Sequence, residues 1–563
     1  MHPSLSFQNF SFTYLGGDWP ALKHIEADLH GSTSVVIMGH GGAGKSTLCY
    51  SINSLVPSFF HGEYQGHVLV NGKEVAHHTV AAMSHQVGLV LQDFESQLFS
   101  TNVELEMAFG PENHCLPRQE IERRIEHYLT LIGLNPFRHR EPATLSGGQK
   151  QRLAIGSVLT MEPEILVMDE PTTDLDPRGR EEILSLTEKF RQENRILLMV
   201  DHEPETGLTA DQVWLIRSGE LVARGRPEEI LIDRSKLNSC GIRSLSTIEL
   251  FERMGWPGQP LSVESAINLI ERNCLAKPKK LRLDLIPSSH RGTSPLLSIE
   301  GLKYVYPQQS AEALRGVDLS IHEGELIALL GQNGSGKTTL AKHFNGLLKP
   351  SSGRIFIQGK SITGYRRQEL ARRVGYVFQN PDHQIFSRTV REEVGFGLKA
   401  LGDPPWTIEK RVANALKTVE LQGYEEKNPF ALSRGERQRI AVASVLAAQP
   451  QVMILDEPTT GLDYCQQKKM MEMLKQLNQK GHTILIITHS MWVAAEYADR
   501  TIVMKDGLIL ADGPTRAIFG NESLLEQASL RPPPVVQLSN WLGTNGLSVE
   551  EMVQELRAAD VSR

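Results

Sequence analysis

Long hydrophobic runs are missing from this sequence. Its longest apolar stretches, such as Ile196–Val200 and Leu326–Leu330, fall far below the roughly 20 residues that a bilayer span needs. Any business at a membrane must therefore pass through a partner. Cysteine is scarce: Cys49, Cys115, Cys240, Cys274 and Cys465 are odd in number and scattered, with no close pair. A disulfide framework and a zinc site are not expected, and a reducing cytosol fits. No charge of one sign dominates, since 59 basic against 66 acidic residues leave a net −7. No global field draws the chain onto nucleic acid, and none is expected as a partner. The start, Met-His-Pro-Ser-Leu-Ser-Phe, has no basic region followed by an apolar one, so a secretory signal is not expected. What remains is an ordinary globular composition, 40% hydrophobic and 22% charged. At 563 residues the chain is too long for one core and suggests about three to five compact units.

The sequence repeats itself. Gly-His-Gly-Gly-Ala-Gly-Lys-Ser at Gly39–Ser46 returns as Gly-Gln-Asn-Gly-Ser-Gly-Lys-Thr at Gly331–Thr338, with the lysines 292 residues apart. Leu-Ser-Gly-Gly-Gln at Leu145–Gln149 returns as Leu-Ser-Arg-Gly-Glu at Leu432–Glu436, and Met-Asp-Glu-Pro-Thr-Thr at Met168–Thr173 as Leu-Asp-Glu-Pro-Thr-Thr at Leu455–Thr460. Both lie at an offset of 287. Leu-Ser-Val-Glu at Leu261–Glu264 recurs at Leu547–Glu550. The period is that of a whole domain with a tail, not of a solenoid repeat. The expected organisation is a first domain at 1–240 with an extension at 241–275, a linker at 276–295, and a second domain at 296–525 with an extension at 526–563. The linker holds Pro278, Pro287 and Pro295 beside Lys277, Lys279 and Lys280. A flexible coil of that length spans roughly 25 Å.

Short apolar runs end where the motifs begin. Val35–Met38 and Leu326–Leu330 precede the glycine-rich segments, Ile165–Met168 and Val452–Leu455 precede the Asp-Glu pairs, and Leu197–Val200 and Ile484–Ile487 precede Asp201-His202 and Thr488-His489. Runs of this kind, alternating with helical stretches such as Gln466–Gln479, predict an α/β fold with a mostly parallel sheet. Ligands of such sheets bind at the carboxyl ends of the strands, where all these motifs fall. In the glycine-rich loops, backbone N–H groups converge on phosphate oxygens at a helix start whose dipole favours anions. The candidate cradle is Gly39, Gly41, Gly42, Ala43, Gly44, Lys45, Ser46 and Thr47 in the first copy. In the second it is Gly331, Asn333, Gly334, Ser335, Gly336, Lys337, Thr338 and Thr339. Lys45 and Lys337 suit the β- and γ-phosphates, and the hydroxyls of Ser46 and Thr338 suit Mg²⁺. Asp169 and Asp456 are candidate Mg²⁺ ligands. Glu170 and Glu457 are candidate bases for the attacking water. His202 and His489, each 33 residues beyond those aspartates, are candidates for positioning the γ-phosphate or the water.

In their order, these motifs resemble those of ATP-binding cassette (ABC) ATPases, twice over and across essentially the whole chain. The resemblance implies ATP and Mg²⁺ as ligands and a helical signature subdomain in each cassette. It adds Gln92 and Gln379 to both the catalytic set and the Mg²⁺ ligands. Two cassettes of this family close head to tail, so Lys45, Gln92, Asp169, Glu170 and His202 would face Ser433 and Gly435. Lys337, Gln379, Asp456, Glu457 and His489 would face Ser146, Gly147, Gly148 and Gln149. Asp176 and Asp463 would sit in loops linking the sites, and Tyr14 and Tyr306 match the aromatic that stacks on adenine.

A narrower resemblance lies in Gln92-Asp93-Phe94-Glu95-Ser96-Gln97-Leu98-Phe99 and Gln379-Asn380-Pro381-Asp382-His383-Gln384-Ile385-Phe386. This Gln-x₄-Gln-aliphatic-Phe segment, with the short duplicated tail, is similar to that of energy-coupling factor (ECF) importer ATPases. There the segment helps form a groove for helices of a membrane subunit. The implied partners are a transmembrane coupling subunit and a substrate-binding subunit. The implied place is the cytoplasmic face of the cell membrane, peripherally bound, in the uptake of a vitamin, metal ion or other micronutrient. The tandem plan also admits the fused ATPase of a sugar importer, or a soluble ABC protein acting on ribosomes or DNA. The second signature departs from the first: Arg434 replaces a glycine and Glu436 a glutamine. Glu436 is expected to bring a like charge towards the nucleotide.

Overall fold

The computed structural model of the chain describes residues 2–173, 175–191, 194–276, 294–307 and 311–561. The basic and proline-rich part of the expected linker, including Lys277 to Pro287, lies outside the described residues. The chain divides into two units. The first is Met1–Glu249 together with Asp463–Cys465, and the second is Leu250–Leu462 with Gln466–Arg563.

Each unit is built on one large sheet. In the first, the strand order is Glu220–Gly225, Gln212–Arg217, Ser34–Met38, Ile196–Val200, Ile165–Asp169, Val87–Val90. All neighbours are parallel except the first pair. The second unit repeats the plan, running from Val374–Val377 through Val452–Asp456, Thr483–Ile487, Leu326–Gly331 and Arg500–Lys505 to an antiparallel Leu508–Pro514. The apolar runs seen in the sequence fall on these strands to within a residue. Both faces of the parallel sheet are covered, so its central strands Ser34–Met38, Ile165–Asp169 and Ile196–Val200 are almost wholly apolar and buried at every position. A smaller antiparallel sheet, holding Ser4–Tyr14 or Leu297–Val305, packs its apolar face onto the same core in each unit.

The signature begins a helix in both copies, Gly147–Leu159 and Arg434–Leu446. Ser146 and Ser433 are the N-caps, each completing a capping box with the residue three positions on. The helices Ser246–Met254 and Val263–Arg272 follow the first copy, and Pro534–Leu542 and Val549–Val561 end the second. Leu250, Phe251, Ala266 and Ile270 are buried in one apolar cluster with Leu538, Leu542 and Met552 of the second unit. Among the described residues no helix is long and apolar enough to cross a membrane.

Candidate active sites

Chain geometry leaves glycine no alternative in the phosphate loops. A Cβ on Gly39 would stand 2.2 Å from the Ile216 carbonyl oxygen, and one on Gly331 2.4 Å from that of Met504. Gly44 and Gly336 cap the helices Lys45–Ile52 and Lys337–Phe344 with φ of 105° and 100°, the left-handed region that side chains avoid. The helix starts thus point their amides into the loops. Ala43 and Ser335 are both buried, so that difference alters no exposed part of the cradle. Lys45 Nζ donates to the carbonyls of Gly39 and His40, both at 2.9 Å. Lys337 does the same to Gly331 and Gln332, at 2.7 and 2.8 Å. Burial lowers the Lys45 pKa against the pull of Glu170 and Asp169. The hydroxyls of Tyr14 and Tyr306 meet Thr47 and Thr339, each pair at 3.0 Å. Tyr14 ends its strand, whereas Tyr306 lies just beyond Leu297–Val305.

Near each loop, at the end of the next strand but one, stand the acids. Both carboxylate oxygens of the buried Asp169 lack a hydrogen bond of good geometry. Burial lifts its pKa to about 6, and the nearby Ser46 hydroxyl offsets only part of that rise. Asp456 also rises by burial, but Tyr376 donates to its Oδ2 at 2.6 Å, leaving Oδ1 unsatisfied. The first copy has Leu89 where the second has Tyr376. Buried polar atoms without partners cost free energy, and an anionic oxygen beside the Ser46 or Thr338 hydroxyl is the donor set that suits a hard cation such as Mg²⁺. The residues fit the ion.

Glu170 and Glu457 sit at φ of 53° and 48°. Side chains rarely adopt this region, and here it aims both carboxylates away from the strand axis. Gln92 Nε2 donates to Glu170 at 2.9 Å, and His202 Nε2 lies 2.7 Å from its other oxygen. Burial would raise the Glu170 pKa, but His202 overcomes it and holds the group at about 2. In the second copy His489 meets Glu457 through Nδ1, at 2.9 Å. The two histidines therefore present opposite ring nitrogens. Gln379 is exposed at the end of the strand Val374–Val377.

The signatures differ in one proton. Ser146 accepts from the Gln149 amide, and its own amide donates to the Gln149 side chain at 3.0 Å. Ser433 instead gives both its amide, at 2.8 Å, and its hydroxyl, at 2.7 Å, to the Glu436 carboxylate. Burial alone would raise the Glu436 pKa, yet those bonds bring it below its ordinary value. Glu436 thus caps its own helix and captures the signature serine, so its charge lies beside the residue expected to face the nucleotide. Arg434 lies against Gly461, where an added Cβ would stand 2.5 Å from the guanidinium carbon. Asp176 caps the helix Pro177–Arg191 through the Gly179 amide, at 2.8 Å. Within the first unit, the Gly41 amide donates to Asp463 at 3.0 Å.

The model of the ABC transporter family matches residues 22–173 and 314–460, one segment in each copy. The chain belongs to the ABC transporter family. It is similar to a provisionally named ABC transporter ATP-binding protein of Caldanaerobacter subterraneus subsp. tengcongensis, 47% identical over 95% of each chain. It also resembles one of Methanosarcina acetivorans, 41% identical over 98% of this chain and 92% of the relative. Among solved structures it matches CbiO1 of Clostridium perfringens, described as part of the ABC transporter complex CbiONQ, at 39% identity. That match covers 44% of this chain and 99% of that one, with a TM-score of 0.39. It also matches the ATP-binding cassette MJ0796 bound to ADP and Pi, at 30% identity over 39% and 98% of the chains, with a TM-score of 0.36. As a tandem ABC ATPase, this protein binds and hydrolyses ATP.

Sequence reasoning missed several residues around the ABC sites. Tyr376 carried no signal beyond its place on an apolar strand. Glu106 and Glu393 are buried on the helices Val103–Asn113 and Val390–Ala400. Glu106 Oε2 accepts from the amides of Phe99 and Ser100, at 3.1 and 2.8 Å. Glu393 accepts from Phe386 and Ser387, at 3.0 and 2.9 Å. A visible signal existed here, an acid among apolar neighbours at the same place in both copies. The glutamines Gln97 and Gln384 turn inward: their side chains accept from the amides of Leu91 and Phe378, at 2.8 and 3.2 Å. Ile385, expected to line a docking groove, is buried at 3% exposure, and Leu98 is half-buried. Phe99 and Phe386 stay 62% and 60% exposed.

Proposed function

We propose that this ABC ATPase powers an ECF-type importer, docking peripherally on the cytoplasmic face of the cell membrane. Its partners in this reading are a transmembrane coupling subunit and a substrate-binding subunit. The observation that carries the reading is a duplicated, exposed aromatic pair. Phe99 meets Phe109 edge to face at 4.6 Å, and Phe386 meets Phe396 in the same way at 4.6 Å. All four rings are 46–62% exposed, and each pair stands on backbone fixed by a buried glutamate. Solvated apolar groups held rigid and repeated in both halves mark a surface built for a partner. Phe99 and Phe386 end the Gln-x₄-Gln segments whose resemblance suggested a groove for membrane-subunit helices, and Phe109 and Phe396 stand on the helices that follow.

In this reading, 1–240 and 296–525 are the cassettes, and 241–275 and 526–563 the extensions. The loop amides and Lys45 or Lys337 bind the phosphates. Tyr14 and Tyr306 hold the adenine. Ser46, Gln92 and Asp169, or Thr338, Gln379 and Asp456, would hold Mg²⁺, which supplies charge to the β- and γ-phosphoryl oxygens when bound. Glu170, held ionised, and Glu457 orient the attacking water and accept its proton, while His202 and His489 hold those carboxylates in place. Each site is completed by the signature of the other cassette, as the family resemblance implies.

Replacing Phe99 or Phe386 with Asp tests the docking. Both rings are exposed and lie apart from the phosphate ligands, so each variant is expected to keep ATP binding yet leave the membrane fraction on cell lysis. Full membrane retention in both, and in the double variant, would mean that docking does not run through these rings, and an unmodified chain found wholly in the soluble fraction would favour a soluble, non-transport ABC protein.

A further inference from the structure

The two copies differ most at the end of the strand that delivers the histidine. In the first copy that strand, Ile196–Val200, is followed by Asp201, 4% exposed. Its Oδ2 accepts from Thr172 at 2.7 Å, Thr206 at 2.9 Å and Arg180 at 3.2 Å. Its Oδ1 accepts from the Glu203 amide at 2.8 Å and from Arg180 at 3.3 Å. Arg180 comes from the first turn of the helix Pro177–Arg191 and also binds the Thr206 hydroxyl. One carboxylate therefore ties together four segments. These are the turn Glu170-Pro171-Thr172, the residue next to His202, the short helix Pro204–Gly207, and the helix bearing Arg180. At the equivalent positions the second copy has Thr488, Gln467, Val493 and Thr459. Thr488 accepts only a local amide, that of Ser490 at 2.9 Å, and Gln467 turns to the Leu462 carbonyl at 2.9 Å. The ion pair and the histidine presentation change together. His202 offers Nε2 to Glu170 and leaves Nδ1 buried without a partner, while His489 offers Nδ1.

We propose that Asp201 and Arg180 are positioning residues of the N-terminal active site alone: their ion pair fixes the turn carrying Glu170 and the strand end carrying His202, and so sets which ring nitrogen of His202 meets Glu170. The proposal rests on the reading of Glu170 and His202 as active-site groups. Neither Asp201 nor Arg180 needs to touch the nucleotide. Each acts through loops that must hold the reacting groups within a fraction of an ångström. The pair is interdependent, because removing Arg180 leaves the buried Asp201 carboxylate without its cation, whereas replacing both removes the conflict.

The test uses the full chain in a Glu457→Gln background, where turnover comes from the N-terminal site. Asp201→Thr and Arg180→Gln are each expected to lower kcat by about tenfold or more, with KM for ATP within about twofold. The double variant, which installs the residues of the second copy, is expected to recover most of that loss. Nitrogen chemical shifts of the His202 imidazole supply a readout that a general loss of stability would not move. In Asp201→Thr the protonated and acceptor nitrogens are expected to exchange roles. Additive losses in the double variant, or unchanged His202 shifts in Asp201→Thr, would overturn the proposal. If Asp201→Thr does not fold, Asp201→Asn keeps an acceptor for Thr172 and Thr206 without the charge, and the same two readouts decide. Glu170→Gln in this background reports separately on the underlying reading: if it leaves turnover intact, the site assignment fails and the proposal with it.

Discussion

Two copies of one cassette sit in this chain, and they agree at the backbone and disagree at the side chains that face the chemistry. Both hold a lysine across the glycine loop, an acid at positive φ and a buried glutamate beneath an exposed phenylalanine. They part at Leu89 against Tyr376, Asp201 against Thr488, and Gln149 against Glu436. The shared features are those that shape a phosphate cradle and hold an exposed aromatic pair. The divergent ones set how the reacting groups are charged and oriented. Two sites on one scaffold can thus differ in rate without differing in fold.

The comparison breaks first if the shared features are not equally needed. Glu106→Ala and Glu393→Ala each strand two backbone amides, and each should cost about 2–3 kcal/mol of stability. Chemical denaturation should show losses alike in size, and a loss confined to one copy would mean the cassettes are not equivalent there. Next comes turnover. If the sites close head to tail, the one using Lys337 and Glu457 meets Ser146, whereas the one using Lys45 and Glu170 meets a serine whose hydroxyl proton Glu436 already holds. Losing one donor to the transition state, at about 1.4 kcal/mol, is tenfold in rate. Glu457→Gln should therefore remove more steady-state ATPase activity than Glu170→Gln. Glu436→Gln should raise single-turnover hydrolysis in the Glu457→Gln background. Equal losses, with no gain from Glu436→Gln, would leave the signature difference without effect.

A smaller difference concerns protons. With burial lifting Asp169 to about 6, a proton competes with Mg²⁺ at the first site below that pH, and apparent Mg²⁺ affinity should weaken about tenfold per pH unit there. Leu89→Tyr, which supplies the hydroxyl that Tyr376 gives Asp456, should move this onset to lower pH in Mg²⁺ titrations of ATP binding. The smallest effect belongs to two ion pairs whose acids are exposed, Lys150 with Glu95 at 2.9 Å and Arg437 with Asp382 at 2.7 Å. Glu95→Gln or Asp382→Asn should change stability by less than about 1 kcal/mol, readable as a small shift in thermal unfolding.

Much of this was legible before any coordinates. Parallel strands buried on both faces must be written as unbroken apolar runs, so Ile165–Met168 and Val452–Leu455 stand out, and motifs at their carboxyl ends mark the sites. The cradle reads equally well, because Gly39 and Gly44 answer to local backbone constraints. The network around Asp201 did not, since Arg180, Thr172 and Thr206 meet it only through tertiary packing. Its trace was a difference between the copies, an aspartate and an arginine where the second has a threonine and a glutamine. The bond between Glu436 and Ser433 was not legible either, because a charge in a sequence has no direction. Only the helix start shows that it folds back on Ser433.

The apolar cluster that takes in Leu250, Phe251, Ala266 and Ile270 has a consequence for how such a gene can evolve. These residues follow the first copy in sequence but complete the core of the second unit. A fission between the copies would hand them to the wrong product. The downstream polypeptide would be left with Leu538, Leu542 and Met552 uncovered, and the upstream one with a sticky tail. Splitting the chain between the copies should therefore cost solubility on both sides of the cut.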